Sequence, residues 1–345
     1  MEENKLNRLK EVLSIPSYSG DEQRVIEYLK NVLTEKGYEH TVDELGNIFV
    51  TKGVSEAYPL FIAHTDTVHR VNENLRIKEY VHNDKRHTDE VALTGYDETT
   101  NEPSGCGGDD KCGVYLALEM LDTYENVKAA FFISEEIGCV GSRSAVKTNP
   151  EFFSNVGYAI QYDSPEGNSL SSTLMGKYLF ESSDVFTDKV GGLIREHGIT
   201  EWAKHPYTDI WPLLEEFDFC CLNLAAGYYR YHTRNEYVIV SDVQNGYDLG
   251  VKLVETLGEN KYVRPDKAYN WRDEYVPRQT TPQSTPVMLL ETKVGPITKE
   301  DNERMEKLQL KEVIEWTDED WDFYDEYCDK TMGEDEDLFF GWDIN

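Results

Sequence analysis

Two apolar rhythms alternate along the first 258 residues. Leu6, Leu9, Val12 and Leu13 recur at helical spacing before Pro16, so a helix is expected over residues 3–13. The spacing returns in Val25, Ile26, Tyr28, Leu29, Val32 and Leu33. Ser19-Gly-Asp-Glu22 opens that stretch as a capping-box signature and Gly37 closes it. Glu39–Val42 and Ile48–Thr51 bracket Asp43–Asn47 and read as a hairpin. Continuous apolar runs of strand length follow at Pro59–Ala63, Val127–Ile133, Tyr158–Tyr162 and Cys220–Ala225. Between them, helical spacing reappears in Val114, Ala117, Leu118 and Leu121, and around Val185–His197. It returns in Val243, Tyr247, Val251, Val254 and Leu257, opened by Ser241-Asp242 and stopped at Gly258. Residues 70–108 are polar and end in Ser-Gly-Cys-Gly-Gly, so they are expected as a loop with one short strand near Val91–Thr94.

Strands alternating with helices predict an α/β fold, a mixed, mostly parallel sheet with helices on both faces. Ligands in such sheets bind beyond the C-terminal ends of the strands. Those ends are polar here. The first apolar run delivers His64 and, two residues on, Asp66; period-2 geometry puts both on one side. An imidazole binds a metal through one nitrogen while the other donates to a carboxylate, and His-x-Asp supplies both parts. Glu135 and Glu136 follow the second run, Asp163 the third, and Gly227–His232 the fourth. Asp109 and Asp110 stand at the N-terminal approach of a helix, where aspartate also serves as a plain cap. Two imidazoles and several carboxylates suit zinc, manganese or cobalt. One ion cannot use so many ligands; two ions about 3.5–4 Å apart with a bridging carboxylate can.

Composition narrows the setting. With 39% apolar residues, the 345-residue chain has ample material for a large core. The charged stretch Met1–Leu13 has no apolar signal core, and no run approaches the roughly 18 apolar residues of a membrane span. A cytoplasmic protein without membrane contact is expected. A net charge of −32 argues against nucleic acid, whose phosphates need clustered Lys and Arg. The six cysteines fall in ones and twos without a disulfide ladder, so reduced thiols are expected, with Cys106 and Cys112 as packing residues. Residues 1–258 read as the catalytic domain and 259–345 as an acidic extension. The extension contains a proline-rich extended segment, a helix from Thr298 to about Trp316, and a second cap at Thr317–Asp320. Its acidic aromatic tail is read as a solvated appendage, a self-docking arm, or a site for a basic partner.

The succession HTD, GCGGDDKCG, SEEIG, Asp163 and YHTRNEYV resembles the co-catalytic zinc exopeptidases, the group that includes peptidase T, the glutamate carboxypeptidases and the bacterial leucyl and glutamyl aminopeptidases. IPSYSGDE and DELGNI are also similar to that group, and the resemblance spans roughly residues 5–258. It implies that His64, Asp109 and Asp163 hold one ion, that Asp109, Glu136 and His232 hold the other, and that Asp109 bridges them. It further implies that Asp66 orients His64, that Glu135 is the general base, and that the Asp109–Asp110 bond is cis. Lidded members insert about 100 residues between the aspartate ligand and the final histidine; here only about 70 intervene. Thr208–Pro212 resembles a loop of the lidless aminopeptidases, so a single domain without a lid and an aminopeptidase or di/tripeptidase activity are expected.

The same site would also serve an N-acyl amino acid deacylase, so the substrate is a peptide or an acylated amino acid. A non-catalytic binding scaffold fits less well, because it has no use for a free glutamate beside metal ligands. Arg230 and Arg234 flank His232 as candidates to read a substrate carboxylate, and Tyr228, Tyr229 and Tyr231 as candidates to polarise the carbonyl or line the pocket. His40, His69, His82, His87, His197 and His205 fit no ligand motif and are read as surface or core residues. A homo-oligomer is compatible with the sequence.

Overall fold

A computed structural model describes residues 1–174, 177–178, 184–205 and 208–264, together with Arg304 and Phe323. Helices α1 (Glu3–Leu13) and α2 (Gln23–Lys36) precede the hairpin β1 (Glu39–Val42) and β2 (Ile48–Lys52), and the run before His64 is β3 (Tyr58–His64). Then come β4 (Leu75–His82), β5 (Glu90–Asp97), α3 (Gly108–Thr123), β6 (Val127–Phe132), α4 (Val140–Thr148), α5 (Pro150–Phe153) and β7 (Val156–Ser164). The chain continues through β8 (Ser169–Leu174), β9 (Lys177–Tyr178), α6 (Asp184–Glu196), β10 (Glu201–His205), α7 (Ile210–Glu216) and β11 (Cys220–Ala225). It reaches α8 (Val240–Leu257) by way of β12 (Tyr228–Tyr229) and β13 (Tyr237–Ile239).

Nine strands form one mixed sheet in the order β1-β2-β6-β3-β7-β11-β8-β10, with β9 paired to β8. Its centre, β6-β3-β7-β11, is parallel, so these four strands end on the same side. Register sets which residues meet there. His64 pairs with Phe132, placing the chain after β6 beside it, and Ile62 pairs with Gln161, so Asp163 is level with His64. All seven residues of β3 are buried, as expected for a strand covered on both faces. Phe61 and Ala63 pack with residues of α1, α2, α3, α6 and α8, whereas Leu60 and Ile62 pack with α4, α5 and α7. The expected sheet with helices on both faces is the one observed.

Two local expectations are corrected. Residues 70–108 are not mainly loop: β4 and β5 form an eight-residue antiparallel hairpin within a second, four-stranded sheet, β12-β13-β5-β4. Most of β4 is solvent-facing, so its sequence LRIKEYVH carries no apolar run. Its sheet closes only through β13, which pairs with β5 from far along the chain. The capping signatures also differ. Glu22 stands at the N-cap of α2 and Asp242 lies in the first turn of α8, but neither helix has a side-chain cap. Both carboxylates are engaged elsewhere.

Past Gly258 the described chain stays on this unit. Tyr262 is buried and its N–H donates to the Gly157 carbonyl, and Phe219 bridges Val263. One compact unit spans Met1–Tyr269 and a second Asn270–Asn345. The helices expected after residue 298 and the acidic tail lie outside the described residues. Among those described, Cys106, Cys112, Cys139, Cys220 and Cys221 are free thiols, and no helix is long and apolar enough to cross a membrane. Phe61, fully buried and stacked 6.3 Å from Tyr162, tests the core. Phe61→Ala is expected to cost about 3–5 kcal/mol, read from the midpoint of denaturant unfolding.

Candidate metal centre

The residues named from sequence converge. His64, fully buried at the end of β3, has Nε2 3.1 Å from Asp109 Oδ1, 3.5 Å from Asp163 Oδ1 and 3.9 Å from Glu135 Oε2. His232 has Nε2 3.3 Å from Asp109 Oδ2 and 3.0 Å from Glu136 Oε2. Asp109 therefore presents one oxygen to each imidazole. The side chain of His64 is 0% exposed and that of His232 27%, so the cluster opens to solvent on the His232 side. His64, Asp109 and Glu136 have donor atoms close enough together to hold a metal ion, as do His64, Asp110 and Asp163.

Asp109 is aimed by the loop before it. The Asp109–Asp110 bond is cis, as the resemblance implies, and neither aspartate has helical dihedrals, so regular helix begins after them. Asp110 is turned into the protein. It accepts the His64 N–H at 3.1 Å and the Gly113 N–H at 3.0 Å, which joins β3 to α3. Gly107 has φ +62°, and a Cβ on Gly108 would lie 2.7 Å from Tyr228 Cβ, so the glycines of GCGGDD let this loop pass under β12. Glu236, fully buried, gathers the loop by accepting the N–H groups of Cys106, Gly107 and Asp109, and its Oε2 lies 2.8 Å from His69 Nε2.

Asp66 meets His64 and reaches beyond it, its backbone carbonyl lying 3.1 Å from His64 Nδ1. Its Oδ1 lies 3.3 Å from His64 Nδ1 and accepts the Glu135 N–H at 2.8 Å. Its Oδ2 accepts the Glu136 N–H at 3.2 Å and the Ser19 hydroxyl at 2.7 Å. Glu22, which looked like part of a capping box, accepts the hydroxyls of Thr65 at 2.6 Å and Ser134 at 3.0 Å. The segment before α2 thus fastens the ends of β3 and β6. Asp163 is held by two polar residues inside otherwise apolar strands. Gln161 Nε2 donates to its carboxylate at 3.2 Å, and Asn223 accepts its backbone N–H at 2.9 Å. Gln161 Oε1 also accepts the Thr208 hydroxyl and the Ile210 N–H, fixing the Thr208–Pro212 loop.

Sequence reasoning missed Ser19, Glu22, Gln161, Asp209, Asn223 and Glu236 as parts of the site. Gln161 and Asn223 carried a signal, since a polar residue amid an apolar strand must find a buried partner. Of the aromatic candidates, Tyr229 turns away, its hydroxyl donating to Asp242, while the Tyr231 ring lies 5.0 Å from that of His232. Arg230 and Arg234 are exposed.

The electrostatics follow from crowding. Burial, then the charges of Asp163, Glu136 and Asp209, push the Glu135 carboxyl well up. Burial and Asp109 push Asp163 up to about 7, and burial with Asp66 does the same to Glu22. Burial would lower His64 and His232, but their carboxylate partners outweigh it and raise both well above the ordinary imidazole value. Asp109, between the two imidazoles, is lowered despite its burial. More buried negative charge collects here than two imidazoles can neutralise. A borderline divalent cation bound by nitrogen and carboxylate oxygen fits that donor set.

No family model matches the chain. The [LysW]-lysine hydrolase of Deinococcus radiodurans is 33% identical over 60 residues, which is 17% of this chain and 17% of that protein's length. Solved structures are similar over much more of the chain. A tripeptidase from Staphylococcus aureus (TM-score 0.57, 13% identity) matches 73% of this chain and 97% of its own. An aminopeptidase from Bacillus cereus (TM-score 0.57, 15% identity) matches 74% and 98%. The TET1 peptidase of Pyrococcus horikoshii, which can assemble into a tetrahedron or a large octahedral shell, matches 72% and 98% (TM-score 0.50, 16% identity). The fold expected from the motif resemblance, a mostly parallel sheet with helices on both faces, is the fold observed, and these peptidases share it.

The raised carboxyls give the metal-free protein a defined pH response. Glu22 and Asp163 keep in the folded state protons that the unfolded chain releases near 4.5 and 3.8, so stability falls as pH rises from there through about 7. The raised His64 and His232 act with the same sign at higher pH, and the lowered Asp109 opposes only below 3.8. Denaturant midpoints in chelator are expected to be lower at about pH 7.5 than at about pH 5, with Glu22→Gln flattening the difference and added zinc reversing it.

Proposed function

We propose that the chain is a metal-dependent exopeptidase, an aminopeptidase or di/tripeptidase. The observation that carries this reading is Asp109, which offers one oxygen toward His64 and the other toward His232, with Glu135 beside them. His64, Asp109 and Asp163 would hold one divalent ion and Asp109, Glu136 and His232 a second, zinc in the first instance with manganese or cobalt as alternatives. Such ions polarise a scissile carbonyl and lower the pKa of a water.

The remaining work falls to the chain. Asp66 keeps the His64 ring in place and, through the N–H groups of Glu135 and Glu136, holds the base in register with the ligands. Glu135 takes the proton of the attacking water and returns it to the departing amine. Its raised pKa suits a group that must hold that proton between the two steps. Substrate would enter from the side on which His232 is exposed.

Action at the amino terminus draws support from the short Asp163–His232 interval and the Thr208–Pro212 loop, held against β7 by Gln161. A homo-oligomer draws support from the assemblies of the TET1 peptidase, and a cytoplasmic setting from the composition. A second reading, hydrolysis of N-acylated amino acids, rests on the 60-residue likeness to the [LysW]-lysine hydrolase.

Metal analysis combined with a peptide-library digest tests the proposal, mass spectrometry reporting which end is trimmed. Aminoacyl-anilides are expected to be cleaved in preference to N-acyl amino acids. Glu135→Gln is expected to retain its metal and lose roughly 10²–10⁴ or more in kcat, whereas His64→Ala loses metal. Full activity of Glu135→Gln, or indifference of the protein to chelators, would remove the basis of the assignment.

A further inference from the structure

Away from the candidate centre, the tip of the β4–β5 hairpin brings together two histidines that matched no motif. His82 ends β4 and His87 lies in the turn, with Asp84 between them. Asp84 Oδ2 is 3.1 Å from His82 Nε2 and 3.2 Å from His87 Nδ1. The other oxygen, Oδ1, accepts the backbone N–H groups of Arg86 and His87, at 2.7 and 2.6 Å, so the turn itself aims Oδ2 between the two rings. Both rings are fixed from outside. His82 stacks on Tyr237 at 4.7 Å, and His87 meets Tyr229 edge-on at 5.4 Å.

The far nitrogen of His87 provides an independent observation. Nε2 lies 3.1 Å from Asp242 Oδ2, while Nδ1 lies 3.0 Å from the nearer Asp84 oxygen. A neutral imidazole has one N–H, so it can donate to one of these carboxylates and must turn a lone pair toward the other. A second proton on the ring would satisfy both carboxylates, and so, with the single proton facing Asp242, would a cation between Nδ1 and Asp84. An imidazole backed by a carboxylate on its far nitrogen is also the usual arrangement of a metal ligand.

We propose that His82 Nε2, Asp84 Oδ2 and His87 Nδ1 form a further divalent-metal site, selective for zinc-like ions, at the tip of the hairpin. Each of the three residues offers a donor atom within 4.8 Å of the others, and the Asp84–histidine separations of 3.1 and 3.2 Å already match the about 3.3 Å between donors on a tetrahedral zinc. Two imidazoles and one carboxylate leave a fourth position for water. His82 is half-buried and Asp84 exposed, so the ion reaches the site from solvent. Asp242, which backs His87, also accepts the Tyr229 hydroxyl in the segment that leads to His232. An ion here would pin the hairpin to the start of α8 and to that segment. The inference does not depend on the proposed peptidase activity.

The test is zinc stoichiometry by equilibrium dialysis and elemental analysis on the full chain. With both His64 and His232 replaced by alanine, one zinc is expected to remain bound, and adding His82→Ala is expected to weaken it at least tenfold. In the otherwise unaltered chain, His82→Ala is expected to bind one zinc fewer with an unchanged unfolding midpoint in chelator. His82→Cys, which restores a ligand, is expected to recover the missing zinc. Equal zinc content with and without His82→Ala, in both backgrounds, overturns the proposal. An unaltered chain that binds zinc at the hairpin and none at the His64/His232 centre would instead count against the peptidase reading alone.

Discussion

Carboxylates gathered in a dry interior repel one another and lose their hydration, and the structure of this protein is arranged around that cost. Asp66, Asp109, Asp110, Glu135, Asp163 and Asp209 are all buried, and the imidazoles of His64 and His232 lie among them. Burying like charges without compensation is among the most unfavourable arrangements available to a protein. The raised values of Glu135 and Asp163 are the direct expression of it. A divalent cation would answer the excess, and the parallel centre of the sheet supplies the place, because its strands end together on one side.

Holding those groups requires more than ligands. Asp66, Glu22 and Glu236 contact no substrate in the proposed mechanism, yet each accepts several hydrogen bonds and ties segments distant in sequence. Asp66 joins the segment before α2 to the ends of β3 and β6. Glu236 draws the GCGGDD loop under β12. Gln161 and Asn223 do the same for Asp163 from within the sheet. Each satisfied carboxylate or amide removes a degree of freedom from a neighbouring donor, which is how a cluster drawn from distant segments is held in place.

Much of the fold was legible because burial on both faces leaves a plain mark. The runs at β3, β6, β7 and β11 are largely apolar, and α1, α2, α3, α6 and α8 show helical periodicity. The centre was legible for a related reason: residues at strand ends are placed by the strands themselves. The hairpin of β4 and β5 was not legible, since a half-exposed strand shares its polar composition with a loop and its sheet is completed by β13. The capping box at Ser19–Glu22 misled because serine, aspartate and glutamate before a helix look the same whether they cap it or reach across to another segment.

The sequence alone determined the order of the buried strands and amphipathic helices, their apolar faces, and which acidic and imidazole side chains stand where those strands stop, because those properties depend on neighbours along the chain. Tertiary structure decided the partners. That Ser19 and Glu22 serve the ends of β3 and β6, that Asp110 faces inward while Asp109 lies between His64 and His232, and that His82 and His87 share Asp84 are consequences of three-dimensional proximity. Hydrogen bonding is short-ranged and directional, so which donor meets which acceptor is set only when distant segments have packed.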